Sequence, residues 1–159
     1  MKITIVCVGK IKETFFTEAV REYSKRLSRY CTLSIEEVRD EKTKEQASET
    51  EISHIKNLEG ERILQKIKDD SYVIALAIDG KAFDSLSFAQ ELENLGIRGK
   101  SHICFVIGGS LGLSDSVLNR ADYKLSFSKM TFPHQLMRVI LLEQIYRGYR
   151  IINHEPYHK

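Results

Sequence analysis

Short β-branched runs alternate with segments of helical period along the whole chain. Ile3-Thr4-Ile5-Val6-Cys7-Val8 halts at Gly9 and predicts a first strand. Phe15, Phe16, Ala19, Val20, Tyr23 and Leu27 recur at helical spacing and predict a helix from Glu13 to about Tyr30. Leu33, Ile35 and Val38 fit a second strand. From Lys42 to Asp69 the pattern is a long polar helix, interrupted at most by Gly60. Its sparse apolar positions (Ile52, Ile55, Leu58, Ile63, Ile67) mark a surface helix. Tyr72 to Ile78 is a nearly continuous apolar strand that ends at Asp79-Gly80. A helix follows from Ser87 to Leu95, stopped by Gly96. Then come a strand from Ile103 to Ile107, a short helix from Ser114 to Arg120 and a strand from Lys124 to Phe127. The last helix runs from His134 to Arg150, and a polar tail closes the chain. The strongest strands are apolar on both faces, as central parallel strands are. The expected fold is a three-layer α/β sheet of parallel type.

The last helix departs from the usual one-sided pattern. Leu136, Met137, Val139, Ile140, Leu141, Leu142, Ile145, Tyr146 and Tyr149 cover most of its circumference. A helix apolar nearly all round needs cover on a second side. A second copy of the chain is the simplest cover, so a homodimer through this helix is predicted. A helix buried within one protomer is the plainer alternative.

Composition narrows the class. The 159 residues, 42% hydrophobic and 29% charged, suit one globular domain spanning 1–159. Met1-Lys2 runs straight into a strand and no apolar run reaches membrane-spanning length, so a cytoplasmic protein without a membrane partner is expected. Cys7, Cys31 and Cys104 make no Cys-x-x-Cys pair, and no metal site is expected. The net charge is only +2, but it is unevenly spread. Thr32 to Asp70 holds seven Lys/Arg against eleven Asp/Glu; Tyr123 to Lys159 holds six against two, with three of the five histidines. A basic C-terminal face suits an anionic substrate. A plain solvated face would look the same.

Candidate chemistry is concentrated in that C-terminal third. Ile103 to Ile107 is followed by Gly108-Gly109-Ser110-Leu111-Gly112. No Gly-Lys-Ser/Thr follows, and the turn comes after the fourth strand, so neither a Walker A loop nor a dinucleotide fingerprint is present. Close by, Ser126, Ser128 and Thr131 alternate with Phe127, Met130 and Phe132 before Pro133 starts the helix. Backbone donors beside apolar walls suit a flat adenine ring better than a phosphate chain.

Several blocks now stand in one order. They are Ile5-Val6-Cys7-Val8-Gly9-Lys10, Leu76 to Gly80, Ile107-Gly108-Gly109, Met130-Thr131-Phe132-Pro133-His134-Gln135-Leu136, Glu143-Gln144-Ile145-Tyr146-Arg147 and Pro156-Tyr157-His158. In these the chain resembles, over essentially its whole length, the small bacterial SPOUT-class methyltransferases, specifically the ribosomal large subunit methyltransferase H family. Ser110-Leu111 in the turn and Lys159 in place of arginine depart from the family pattern.

The resemblance implies an α/β trefoil knot with the last helix threaded through a loop, and a homodimer. It implies S-adenosylmethionine as cosubstrate, held by Leu76, Gly108, Phe127, Ser128, Lys129, Met130, Thr131 and Phe132. It implies large-subunit ribosomal RNA within the ribosome as substrate, methylated at N3 of the pseudouridine conventionally numbered 1915. Such a transfer needs positioning and a group near N3 as the proton leaves, but no metal. Arg138, Tyr157, His158 and His134 are the catalytic candidates; Arg150, His154 and Tyr149 are candidates for RNA contact. Tyr157 would stack on the base and His158 would take the proton or contact phosphate, the tail closing over the RNA. One rival is a non-catalytic α/β module that senses a nucleotide. A hydrolase using Cys104 is a weaker rival, since no base is placed for it.

Overall fold

The computed structural model describes residues 1–159. Its elements are β1 (Lys2–Val8), α1 (Thr14–Leu27), β2 (Thr32–Val38), α2 (Glu49–Lys66) and β3 (Tyr72–Ala82). Then come α3 (Ser85–Ile97), β4 (His102–Ile107), α4 (Asp115–Arg120), β5 (Tyr123–Ser126) and α5 (His134–Ile152). Every predicted element is present. The strands form one parallel sheet in the order β2-β1-β4-β3-β5.

The two-residue period of the strands explains the three layers. Ile3, Ile5 and Cys7 of β1, with Ile103, Phe105 and Ile107 of β4, face a core closed by Leu27 of α1, Leu92 and Leu95 of α3, and Leu141, Leu142 and Ile145 of α5. Val6 and Val8, with Cys104 and Val106, face the other side, closed by Ile63 of α2 and Val117 of α4.

Several boundaries differ from the sequence pattern. α3 is not stopped by Gly96 but runs through it to Ile97, because a helix tolerates a single glycine at a modest cost. α2 begins at Glu49, not Lys42, because Ser48 caps it: the Ser48 hydroxyl accepts from the Glu51 amide at 3.2 Å. Gly60 does not interrupt α2; a Cβ there would stand 2.2 Å from the Ser114 hydroxyl, so α2 crosses the start of α4 on bare backbone. β3 continues four residues beyond Ile78 because its pairing with β5 shifts register between Leu76 and Lys81.

α5 buries Arg138, Leu141, Leu142, Ile145 and Gly148 within the protomer. Helical geometry puts Leu136, Ile140, Glu143 and Arg147 on the opposite stripe, where all four are only half-buried. No helix is long and apolar enough to cross a membrane.

Candidate active site

The carboxyl ends of β3, β4 and β5 meet the start of α5 around a cavity of about 820 Å³. That edge of a parallel sheet is where α/β proteins bind ligands. Three segments build it.

The first is the register shift in β3. Ala77, Ile78 and Asp79 bow out of the ladder and line the cavity. The strand returns at Gly80, where a Cβ would lie 2.8 Å from the backbone of Lys124 and Leu125.

The second is the glycine turn, closed by the Gly112 amide donating to the Gly109 carbonyl at 3.1 Å. A Cβ on Gly108 would meet the Gly112 carbonyl carbon and Leu113 Cδ2 at 3.0 Å. Beneath the turn lies Glu59 of α2, 4% exposed, with burial raising its carboxyl above the usual range. Its Oε2 accepts from the Glu41 amide at 3.0 Å, and its Oε1 would touch a Cβ on Gly109 at 3.1 Å.

The third is the loop after β5. The Ser126 hydroxyl donates to the Ser128 carbonyl at 3.1 Å, and the Ser128 hydroxyl accepts from the Met130 amide at 2.9 Å. These bonds hold Phe127, Met130, Thr131 and Phe132 along the cavity wall. Met130 is 74% exposed and Ile78 54%, so the wall presents uncovered apolar surface.

Leu76, Gly108, Phe127, Ser128, Met130, Thr131, Phe132 and His134 all line this one cavity. Lys129 does not; its side chain is exposed beside the rim. Lys56 of α2 and Asp79 line it too, and sequence reasoning missed both. Lys56 has no local motif, because α2 reaches the cavity only through the crossover to β3. Asp79 stands in the strand end already singled out, before a Gly whose close approach to β5 was the available signal.

Arg138 does not line the cavity. It is fully buried, with Nη1 donating to Glu37 Oε2 at 2.6 Å and Nη2 to the Gly9 carbonyl at 2.7 Å. Its position in the sequence, beside the loop after β5, hid the fact that it shares the inward stripe of Leu141, Leu142 and Ile145.

The remaining candidates gather elsewhere, along the second half of α5. The tail is not a loose extension in this structure. The Tyr157 hydroxyl donates to Glu143 Oε1 at 2.9 Å, and Arg147 lies 4.6 Å over the Tyr157 ring. Arg147 Nη1 also meets His158 Nδ1 at 3.2 Å. Arg150 donates to Glu155, to the Pro156 carbonyl and to the Tyr30 hydroxyl. Tyr149 stacks on Tyr30 with centroids 5.4 Å apart, and burial pushes its hydroxyl well above the usual range. His154 is exposed at φ 55°, where it ends the helix. Burial pushes the Cys104 thiol up to about 12, which leaves no thiolate for a hydrolase.

Residues 1–158 match the family described as "Predicted SPOUT methyltransferase". The chain belongs to the SPOUT methyltransferase family. Curated relatives extend the match over the full length of both chains. Proteins from Clostridium tetani, Clostridioides difficile and Bifidobacterium adolescentis are each 62% identical to this SPOUT protein over 159 residues, covering 100% of both. Each bears the name Ribosomal RNA large subunit methyltransferase H. Among solved structures, a probable methylase family protein from Haemophilus influenzae superposes with a TM-score of 0.54 at 14% identity. That match covers 99% of this chain and 70% of the other and concerns the fold alone.

Proposed function

We propose that this SPOUT protein transfers the methyl group of S-adenosylmethionine to large-subunit ribosomal RNA, at N3 of the pseudouridine numbered 1915, in the cytoplasm. The observation that carries the reading is the cavity at the sheet edge, taken with full-length relatives named as ribosomal RNA methyltransferases. The cavity suits the cosubstrate. Its volume falls within the roughly 300–1,000 Å³ of small-molecule sites. It combines bare backbone at Gly108 with the apolar side chains of Leu76, Phe127, Met130 and Phe132.

Bound S-adenosylmethionine supplies an electrophilic methyl carbon on a positively charged sulfur. The residues do the rest. Phe127, Met130 and Phe132 exclude water from an adenosine, and the backbone of Leu76, Gly108 and residues 127–132 offers it hydrogen bonds. Lys129 contributes through its backbone. Asp79, which lines the cavity, places negative charge near a cationic ligand.

A homodimer through α5 completes the site in this reading, with the knot holding α5 against the cavity loop. Within one protomer Tyr157 anchors at Glu143, nine residues along α5 from His134, or about 14 Å at the helical rise. The tail therefore serves better at the cavity of a second copy. There Tyr157 would stack on the base, while His158, Arg150, His154 and Tyr149 would form the surface facing RNA.

Incubating the protein with labelled S-adenosylmethionine and ribosomes from a strain lacking this methylation tests the reading. Label is expected in large-subunit RNA at one pseudouridine. A folded, dimeric protein that leaves that RNA unlabelled refutes it.

A further inference from the structure

Arg138 heads the fully buried side chains by volume, and it is charged. Besides Glu37 and the Gly9 carbonyl, its Nη2 meets His134 Nδ1 at 3.3 Å. A guanidinium has only donors, so Nδ1 is the acceptor and the neutral ring carries its proton on Nε2. Nε2 has no partner within the protomer and is not among the buried unpaired polar atoms. His134 itself lines the cavity.

The ring is held from its other side by bare backbone. Gly9 has φ +93°, and a Cβ there would lie 2.9 Å from His134 Cε1 and 3.1 Å from Nε2. Three elements thus fix one imidazole: the end of β1 through Gly9, the end of β2 through Glu37, and α5 through Arg138.

We infer that His134 serves methyl transfer as a neutral hydrogen-bond donor through Nε2, to a carbonyl oxygen of the target base, and that Arg138 is the positioning residue that fixes this state. The inference rests on the methyl-transfer reading of the cavity. As the N3 proton leaves to a base, for which His158 of a second copy is the candidate, negative charge builds on the carbonyl oxygens flanking N3, where a preset donor is worth most. N3 then bonds to the methyl carbon as the sulfur–methyl bond breaks, and the sulfur leaves as a neutral thioether. His134 is not the proton acceptor, because Nε2 already bears a proton and Nδ1 is filled by Arg138.

The charged groups around the ring agree. Burial and Arg138 lower the His134 pKa, helped by Lys12, against the opposing pull of Asp40 and Glu37. The neutral ring is therefore favoured over the charged one relative to a free histidine.

Nitrogen-15 shifts of His134 in the ligand-free full-length protein test the lock without any activity. The Nε2–H tautomer is expected, with no titration midpoint near the ordinary value of about 6.5. An Nδ1–H tautomer, or a midpoint at that value, overturns it. In Arg138→Met the ring should mix tautomers and titrate. Arg138→Lys, which keeps a charge for Glu37 but not the fork, gives the same readout if the Met variant does not fold; an unchanged tautomer in both overturns the positioning role.

Single-turnover transfer on ribosomes, with saturating cosubstrate, tests the donor. His134→Phe should slow transfer by roughly 100-fold and leave cosubstrate affinity within about threefold, and His134→Gln should recover most of the rate. Unchanged transfer by His134→Phe, or a loss of cosubstrate affinity in its place, overturns the donor role alone. A wild type that never transfers a methyl group overturns the methyl-transfer reading and the donor role with it, and leaves the tautomer result standing.

Discussion

The two ends of α5 solve opposite problems. At its start, the cavity leaves groups unsatisfied: Ile78 and Met130 stand exposed, and the glycine turn offers bare backbone. Along its second half, the side chains satisfy one another. Glu143 takes both Arg147 and Tyr157, and Glu155 takes both Arg150 and Tyr30. Unsatisfied surface is a place for a ligand. A closed network must either break its bonds to act or present itself intact to something else. The cavity and the tail therefore should fail independently under mutation.

The sharpest break is Gly108→Val. The added Cβ would press on the Gly112 backbone and Leu113 Cδ2 at 3.0 Å. Overpacking of about 3 kcal/mol in the turn corresponds to roughly a hundredfold loss of cosubstrate affinity. Calorimetric titration reads it directly. The tail contacts at Glu143 should persist, visible as unchanged amide exchange in residues 155–159.

Glu143→Gln should do the reverse with a smaller effect. It removes the carboxylate that Arg147 and Tyr157 share. Both partners are largely but not wholly buried, so a loss of about 1 kcal/mol is expected by thermal or denaturant unfolding. Amide exchange in the tail should rise while cosubstrate affinity stays within about twofold. Equal damage to cavity and tail would show that the two regions are one cooperative unit.

Much of this division was legible in advance, and the exceptions have physical causes. All the strands and helices follow from apolar period, because the helices bury a stripe against the sheet and the central strands bury both faces. The start of α2 was misplaced because residues 42–48 are polar and helix-compatible, and only the Ser48 cap marks the end of the connection. Strand order was not readable, since β1, β3 and β4 are equally apolar. The cavity wall from Phe127 to Phe132 could be read because its residues are adjacent in sequence. Lys56 and Glu59 could not, because α2 meets the glycine turn only in three dimensions. The burial of Arg138 is hidden for a different reason: its charge outweighs its place on the inward stripe of α5.

Alkaline titration separates the regions without mutation. Burial first, and then the bond to Glu143, raise the Tyr157 hydroxyl to about 12. A phenol whose folded pKa lies above its unfolded value near 10 contributes stability that is complete below pH ~10 and lost as pH rises toward 12. The tail should leave α5 in that window. Tyrosinate absorbance in wild type against Tyr157→Phe checks it, with one fewer high-pH transition expected in the variant.

The smallest effect distinguishes a residue beside the cavity from one inside it. Lys129 stands in the loop that the family pattern assigns to the cosubstrate, yet its side chain is exposed and does not line the cavity. Lys129→Ala keeps the backbone, so cosubstrate affinity should change by less than about twofold. Lys56, in α2, does line the cavity and is half-buried. Its ammonium can meet a carboxylate on the ligand, and exposed to partly buried pairs of that kind contribute about 1 kcal/mol. Lys56→Ala should therefore weaken binding about fivefold at low salt and less at high salt, as screening requires. Equal responses of the two lysines would mean that the wall formed by α2 is not part of the pocket, and that the loop after β5 holds the ligand on its own.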